Sequence, residues 1–260
     1  MNLSEELLEA FKGFSGAHGQ TDVSQERTSG KQKAKSFIVR NPLTLELIER
    51  HISGKKGVGA IPINEENKCR FGALDIDEYP LDHNKLIDKL EELKVPCIVC
   101  RSKSGGAHIF FFFKEWMNAG DFRDKAAEIS SALGHGRCEI FPKQEQILVE
   151  RGDVGNFINL PYFDSEQTLR YAIIRREGAY VEASLSEFIE EIQKVKTLPK
   201  DFLTLPIGGP VDLLPNYIPC LRTKLAIGVF EGERNRTAFQ LGVFLQRLDP
   251  GNWKIKFEEH

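Results

Sequence analysis

The sequence predicts an α+β fold, and three observations carry that expectation. Short apolar runs bounded by Gly, Pro, Asn and Asp recur along the chain. Amphipathic helical segments fall between them without strict βαβ alternation. One hairpin is explicit, because PCIVCRS and HIFFFF flank the small-residue turn KSGGA.

Taken in order, residues 3–12 read as a short amphipathic helix, and GFSGAHGQTDVSQERTSGKQKAKS, polar and basic at its end, reads as a long loop. PLTLELIERHI places Leu43, Leu45, Ile48 and Ile52 near helical spacing, and GVGAIPI and FGALDID read as two strands around the polar turn NEENK. Leu86, Ile87, Leu90 and Leu93 mark the next helix. Residues 118–133 have a helical pattern, CEIFP is a short strand, and GNFINLP, TLRYAII and GAYVEA continue as short strands. SLSEFIEEIQKV opens on a serine three residues before Glu187, the arrangement of a capping box. Pro199, Pro206, Gly208, Gly209, Pro210 and Pro215 then break regular structure, and RNRTAFQLGVFLQRL aligns Ala238, Leu241, Phe244, Leu245 and Leu248 on one helical face. The expected organisation is a main domain over 1–199, a linker over 200–215 and a small helical module over 216–260.

A hydrophobic share of 41% and a charged share of 28% allow a real core, while a net charge of -3 excludes a globally basic chain, so any polyanion site is a local patch. Five cysteines, at 69, 97, 100, 138 and 220, lack the spacing of a disulfide framework and point to a reducing, cytoplasmic setting. No stretch approaches about 20 uninterrupted apolar residues, and the acidic N-terminus is unlike a signal peptide, so neither secretion nor membrane spanning is expected. In CIVC the two sulfurs of a strand at i and i+3 face opposite sides and no second pair accompanies them, so core cysteines are expected rather than zinc ligands. Phe110 to Phe113 are expected in the core.

Four constellations carry chemistry. In GALDIDEY, period-2 geometry aims Asp75 and Asp77 at one side of a strand, and two such carboxylates repel unless a cation lies between them; Mg²⁺ or Mn²⁺ fits and leaves positions for phosphates. Isolated, the same pair also describes a solvated strand end. In CRSKSGGAHIFFFF, the turn carries Arg101, Ser102, Lys103, Ser104 and two glycines and delivers His108, a set able to cradle an anion and equally able to form an ordinary hairpin. CEIFPKQ sets Glu139 among apolar neighbours, where it needs a cation or a basic side chain, with Lys143 and Gln144 close behind. GNFINLP offers Asn156 and Asn159 to a sugar, phosphate or base edge, or to a plain turn.

The order DxD, small-residue turn ending in His, acidic residue in EIFPKQ, then GNFINLP resembles the catalytic domain of the archaeo-eukaryotic primase superfamily, and most of all the primase-polymerases of phages, plasmids and other mobile elements. PLTLELIERHISGKKGVGAIPI and EGERNRTAFQLGVFLQ extend the resemblance to roughly residues 40–248. It implies a mixed or antiparallel sheet with flanking helices and an RRM-like element. Asp75 and Asp77 would be metal ligands, Glu139 would stand at the third acidic position, and His108 would contact the incoming triphosphate, with Ser102 or Ser104 in the serine role. The implied partners are a DNA template and primer, dNTP or NTP, and often a helicase module in a longer replication protein, which a chain ending in KIKFEEH soon after DPGNW also suggests.

The implied chemistry is two-metal nucleotidyl transfer to a 3′-hydroxyl, with Lys143, Lys103 and Arg101 on phosphates and Lys31, Lys33, Lys35, Lys55 and Lys56 steering nucleic acid. A metal-dependent nuclease or phosphohydrolase would also use Asp75, Asp77, Glu139 and His108, but it needs the phosphate-cradling turn less. A non-catalytic nucleic-acid-binding module would leave the carboxylates unexplained.

Overall fold

The computed structural model describes residues 2–21, 36–207 and 234–248. Ten strands are present among them: β1 (His18–Thr21), β2 (Ser36–Val39), β3 (Gly57–Ala60), β4 (Lys68–Ile76), β5 (Ile98–Arg101), β6 (Ala107–Asn118), β7 (Glu139–Phe141), β8 (Ile158–Asn159), β9 (Ala172–Arg176) and β10 (Ala179–Glu182). The helices are α1 (Leu3–Ala10), α2 (Leu45–Ile52), α3 (His83–Glu92), α4 (Ala119–Leu133), α5 (Leu185–Val195), α6 (Pro199–Leu203) and α7 (Arg234–Leu248). The strands form two sheets, ordered β2-β1-β3-β8 and β10-β9-β5-β6-β4-β7, and every named pairing in both is antiparallel. This is the mixed α+β architecture with antiparallel sheets and flanking helices that the sequence predicts.

Local chemistry starts the helices where their backbone N–H groups need acceptors. Asn2 and Ser184 close capping boxes with Glu5 and Glu187, and Thr44 and Asp82 cap α2 and α3 through their side-chain oxygens. On β6, alternation sends Phe110 and Phe112 to one face and Phe111 and Phe113 to the other. Phe11 meets the first pair edge-to-face at 5.2 and 5.5 Å, and Phe122 and Phe202 pack on the second pair. All four β6 phenylalanines are buried, so each contributes about 1.5–3 kcal/mol of transfer free energy.

The long loop expected after α1 is a correction. β1 and β2 lie inside or at the edge of that stretch and pair with each other, while residues 22–35 fall outside the described residues. HGQT has no apolar alternation to announce a strand, and its burial comes from its neighbours. Gly19 lies opposite Gly59, and the Phe157 ring covers both so closely that a Cβ on either would come within 2.1 to 2.4 Å of it. The two strands read from GVGAIPI and FGALDID both form, but they enter different sheets, with an Ile63–Cys69 bridge beside the turn that joins them.

The chain divides into two compact units, residues 1–126 with 138–205, and residues 127–137 with 206–260. Residues 200–205 of the expected linker fall in the first unit, and residues 208–215 lie outside the described residues. Pro199 occupies the first turn of α6, where its missing N–H costs nothing, and Phe202 is fully buried in the first unit. On α7, Thr237 and Leu241 are buried and Ala238 is exposed; the side chains of Leu245 and Leu248 lie outside the described residues. No helix among the described residues is long and apolar enough to cross a membrane.

Candidate active site

The register of the larger sheet assembles the site. Cys100 pairs with His108, His108 with Asp75, and Asp75 with Glu139, so these four side chains form one row across β5, β6, β4 and β7 and share a face. One step of two residues inward, the parallel row is Ile98, Phe110, Ala73 and Phe141, all buried in the main core. The polar row is thus where the apolar face ends. Exposure rises across it: the side chains of His108, Asp75 and Glu139 are 13, 18 and 57% exposed.

Within the row, His108 Nε2 lies 3.3 Å from Asp75 Oδ1. That approach is an ion-pair distance without hydrogen-bond geometry, since Asp75 Oδ1 is buried and has no hydrogen-bond partner. Such an oxygen carries a desolvation cost of about 1–3 kcal/mol or more until something binds it.

The turn between β5 and β6 sits against the end of β4. A Cβ on Gly106 would stand 2.2 Å from the Ile76 carbonyl oxygen, so only glycine permits this approach, and Gly105 adopts φ +100. Ser102 closes the turn by donating its N–H to the Gly106 carbonyl at 2.8 Å, and its own buried Oγ has no partner. His83 Nε2 contacts the same carbonyl at 3.0 Å. Lys103 and Ser104 are exposed at the tip. Arg101, the residue expected on phosphate, donates through Nη1 to the carbonyls of Leu169 at 3.0 Å and Ser102 at 3.2 Å.

Asp77 is exposed just beyond β4 and accepts a hydrogen bond from the Tyr79 phenol at 2.8 Å. Partial burial and the Asp77 carboxylate push the phenol above its ordinary pKa, against a smaller lowering from Ser104.

On the far side, Glu139 holds Lys143 Nζ at 2.7 Å, and that ammonium lies 5.0 Å from the centre of the Phe141 ring. Gln144 and Asn156 bond each other through side chain and backbone, which ties the segment after β7 to the loop before β8. Asn159 reaches across β3, where Gly57 and Gly59 leave room, and accepts from Thr21 Oγ1 at 2.9 Å. The expected Gln144, Asn156 and Asn159 thus each have a partner within the protein.

A divalent cation fits the Asp75 and Asp77 end: one buried oxygen without a partner and one exposed carboxylate are the donor set with which Mg²⁺ is held by one or two carboxylates, water and substrate phosphate. Glu139 shares the row but is engaged by Lys143, and among the described residues no three His, Cys, Asp or Glu side chains converge as a ready-made ligand cluster.

A family model described as the Archaeo-Eukaryotic Primase domain of the TOTE conflict system matches residues 9–199. The chain belongs to that family. It is thereby a member of the archaeo-eukaryotic primase superfamily, a primase-like nucleotidyltransferase family whose domains typically use divalent metals. No curated protein matches it.

In this primase-family chain, sequence reasoning passed over Tyr79 and His83. Tyr79 had a signal, since it continues the two-residue step from Asp75 through Asp77. His83 had none, because its carbonyl partner is set by the tertiary approach of α3 to the turn.

Proposed function

We propose that the chain is a template-directed primase-polymerase that transfers a nucleotidyl group from a (d)NTP to a 3′-hydroxyl. The observation that carries this reading is Asp75, with a buried and unpartnered carboxylate oxygen, set between His108 and Glu139 in one strand row beside a glycine turn. Asp75 and Asp77 hold Mg²⁺ or Mn²⁺, and Glu139 stands at the third acidic position. When bound, the cation neutralises phosphate charge and lowers the pKa of the attacking hydroxyl.

The protein's own groups position the reactants. His108, Lys103 and the Ser102 hydroxyl face the triphosphate, whose α-phosphorus gains the bond to the 3′-oxygen as pyrophosphate leaves. Lys143 moves between Glu139 and a phosphate oxygen, since both attract its ammonium. Arg101, Gln144, Asn156 and Asn159 hold the surrounding loops.

Labelled primer-template incubated with Mg²⁺ or Mn²⁺, with and without nucleotides, tests the reading. Extension that requires nucleotides and is lost in Asp75→Asn supports it. Shortening of the primer without nucleotides would replace it with metal-dependent hydrolysis, and the primer-free reaction with NTPs and dNTPs reads out priming.

A further inference from the structure

The two carboxylates of the DxD pair are held in different ways. Asp75 lies inside a three-strand ladder, paired with His108 on one side and Glu139 on the other. Asp77 lies beyond it: the pairing of β4 ends at Ile76, opposite Ala107, and the Asp77 side chain is exposed. An exposed aspartate samples several rotamers and loses that freedom when it binds a cation. Here the Tyr79 phenol donates to Asp77 Oδ1 at 2.8 Å. The phenol leaves Oδ2 open.

We propose that Tyr79 is a positioning residue that orients Asp77 for a divalent cation. The inference rests on Asp75 and Asp77 being the cation site. Hydrogen-bonding partners behind a ligating carboxylate set its orientation, and their loss typically weakens metal binding by about 10–100-fold. Tyr79→Phe removes only the hydroxyl and leaves a half-exposed ring, so the fold has little to lose.

The test is a Mn²⁺ titration of the full chain without nucleotide, followed by the electron paramagnetic resonance signal of free Mn²⁺. Tyr79→Phe is expected to raise the Kd by about tenfold with an unchanged melting temperature. A Kd in Tyr79→Phe equal to or tighter than wild type overturns the proposal. Asp75→Asn separates the two readings. If it abolishes the Mn²⁺ site while Tyr79→Phe leaves it intact, the positioning role alone fails; if wild type shows no Asp75-dependent Mn²⁺ uptake, both fail.

Discussion

Two histidines of the first compact unit are both withdrawn from solvent, and their surroundings differ in kind. His51, on α2, is fully buried; its Nε2 donates to the Pro161 carbonyl at 2.9 Å and its Nδ1 accepts from the Val58 N–H at 3.1 Å. Burial, with a smaller contribution from Arg170, lowers its pKa from 6.5 to about 4 against the pull of the Pro161 carbonyl, so the ring is neutral and both nitrogens are satisfied. His108 faces Asp75 at 3.3 Å, without hydrogen-bond geometry, and the oxygen it faces has no partner. Burial does not separate these two histidines. Completeness of hydrogen bonding does.

The largest expected effect breaks or upholds that distinction directly. Asp75→Asn is expected to lower nucleotide incorporation by about a hundred- to a thousandfold, while the melting temperature holds or rises because a buried charge without a hydrogen bond has been removed. His51→Ala is expected to do the reverse. It breaks two buried hydrogen bonds and opens a cavity, so it destabilises the chain by about 2–5 kcal/mol while the folded fraction keeps its specific activity. Melting curves and primer extension on both variants decide it; a stable, inactive His51→Ala or an unfolded Asp75→Asn would invert the assignment.

The acid limb of the stability curve sharpens the same contrast. Because the folded pKa of His51 is depressed, the unfolded chain binds the proton first as pH falls through 6.5. The stabilisation from neutral His51 is therefore full above pH 6.5 and is lost progressively down to about pH 4, a change of about 3 kcal/mol. Denaturant unfolding at stepped pH should show that slope, and His51→Gln, which cannot titrate, should flatten it. An unchanged slope would mean that another group sets the acid limb.

How much of this was legible depended on whether a feature is local. The β5–β6 hairpin, the alternation of Phe110 to Phe113 and the capping box at Ser184 are written within a few residues, and they fold as written. β1 is not legible in sequence because Gln20 and Thr21 are buried by partners distant along the chain, and α6 is not because Pro199 reads as a breaker yet starts a helix. The candidate row shows the same limit. Residue type and order suggested Asp75, His108 and Glu139, but only strand register sets them side by side. Arg101, Asn156 and Asn159 suit a nucleotide by type, yet long-range partners engage them first.

A smaller effect is expected at His108. If its ring serves the triphosphate, His108→Ala should raise the nucleotide KM by about tenfold or more, the worth of one hydrogen bond to a charged group, and leave template affinity unchanged. Steady-state kinetics alongside fluorescence anisotropy of labelled template separates the two. An equal loss of template affinity would move His108 to the nucleic-acid side of the site.

The smallest expected effect lies at the exposed end of the row. Lys143 and Glu139 meet at 2.7 Å with side chains 35 and 57% exposed, so their ion pair contributes at most about 1 kcal/mol to stability. Lys143→Gln should therefore barely move the melting temperature. Its informative consequence is on the cation: losing a nearby positive charge and freeing Glu139 should tighten Mn²⁺ binding without nucleotide by about two- to fivefold, the range such an exposed pair can supply. Glu139→Gln should move the Mn²⁺ affinity the other way. If neither substitution changes the titration, Glu139 belongs to the solvated edge of β7, and the cation site ends at Asp75 and Asp77.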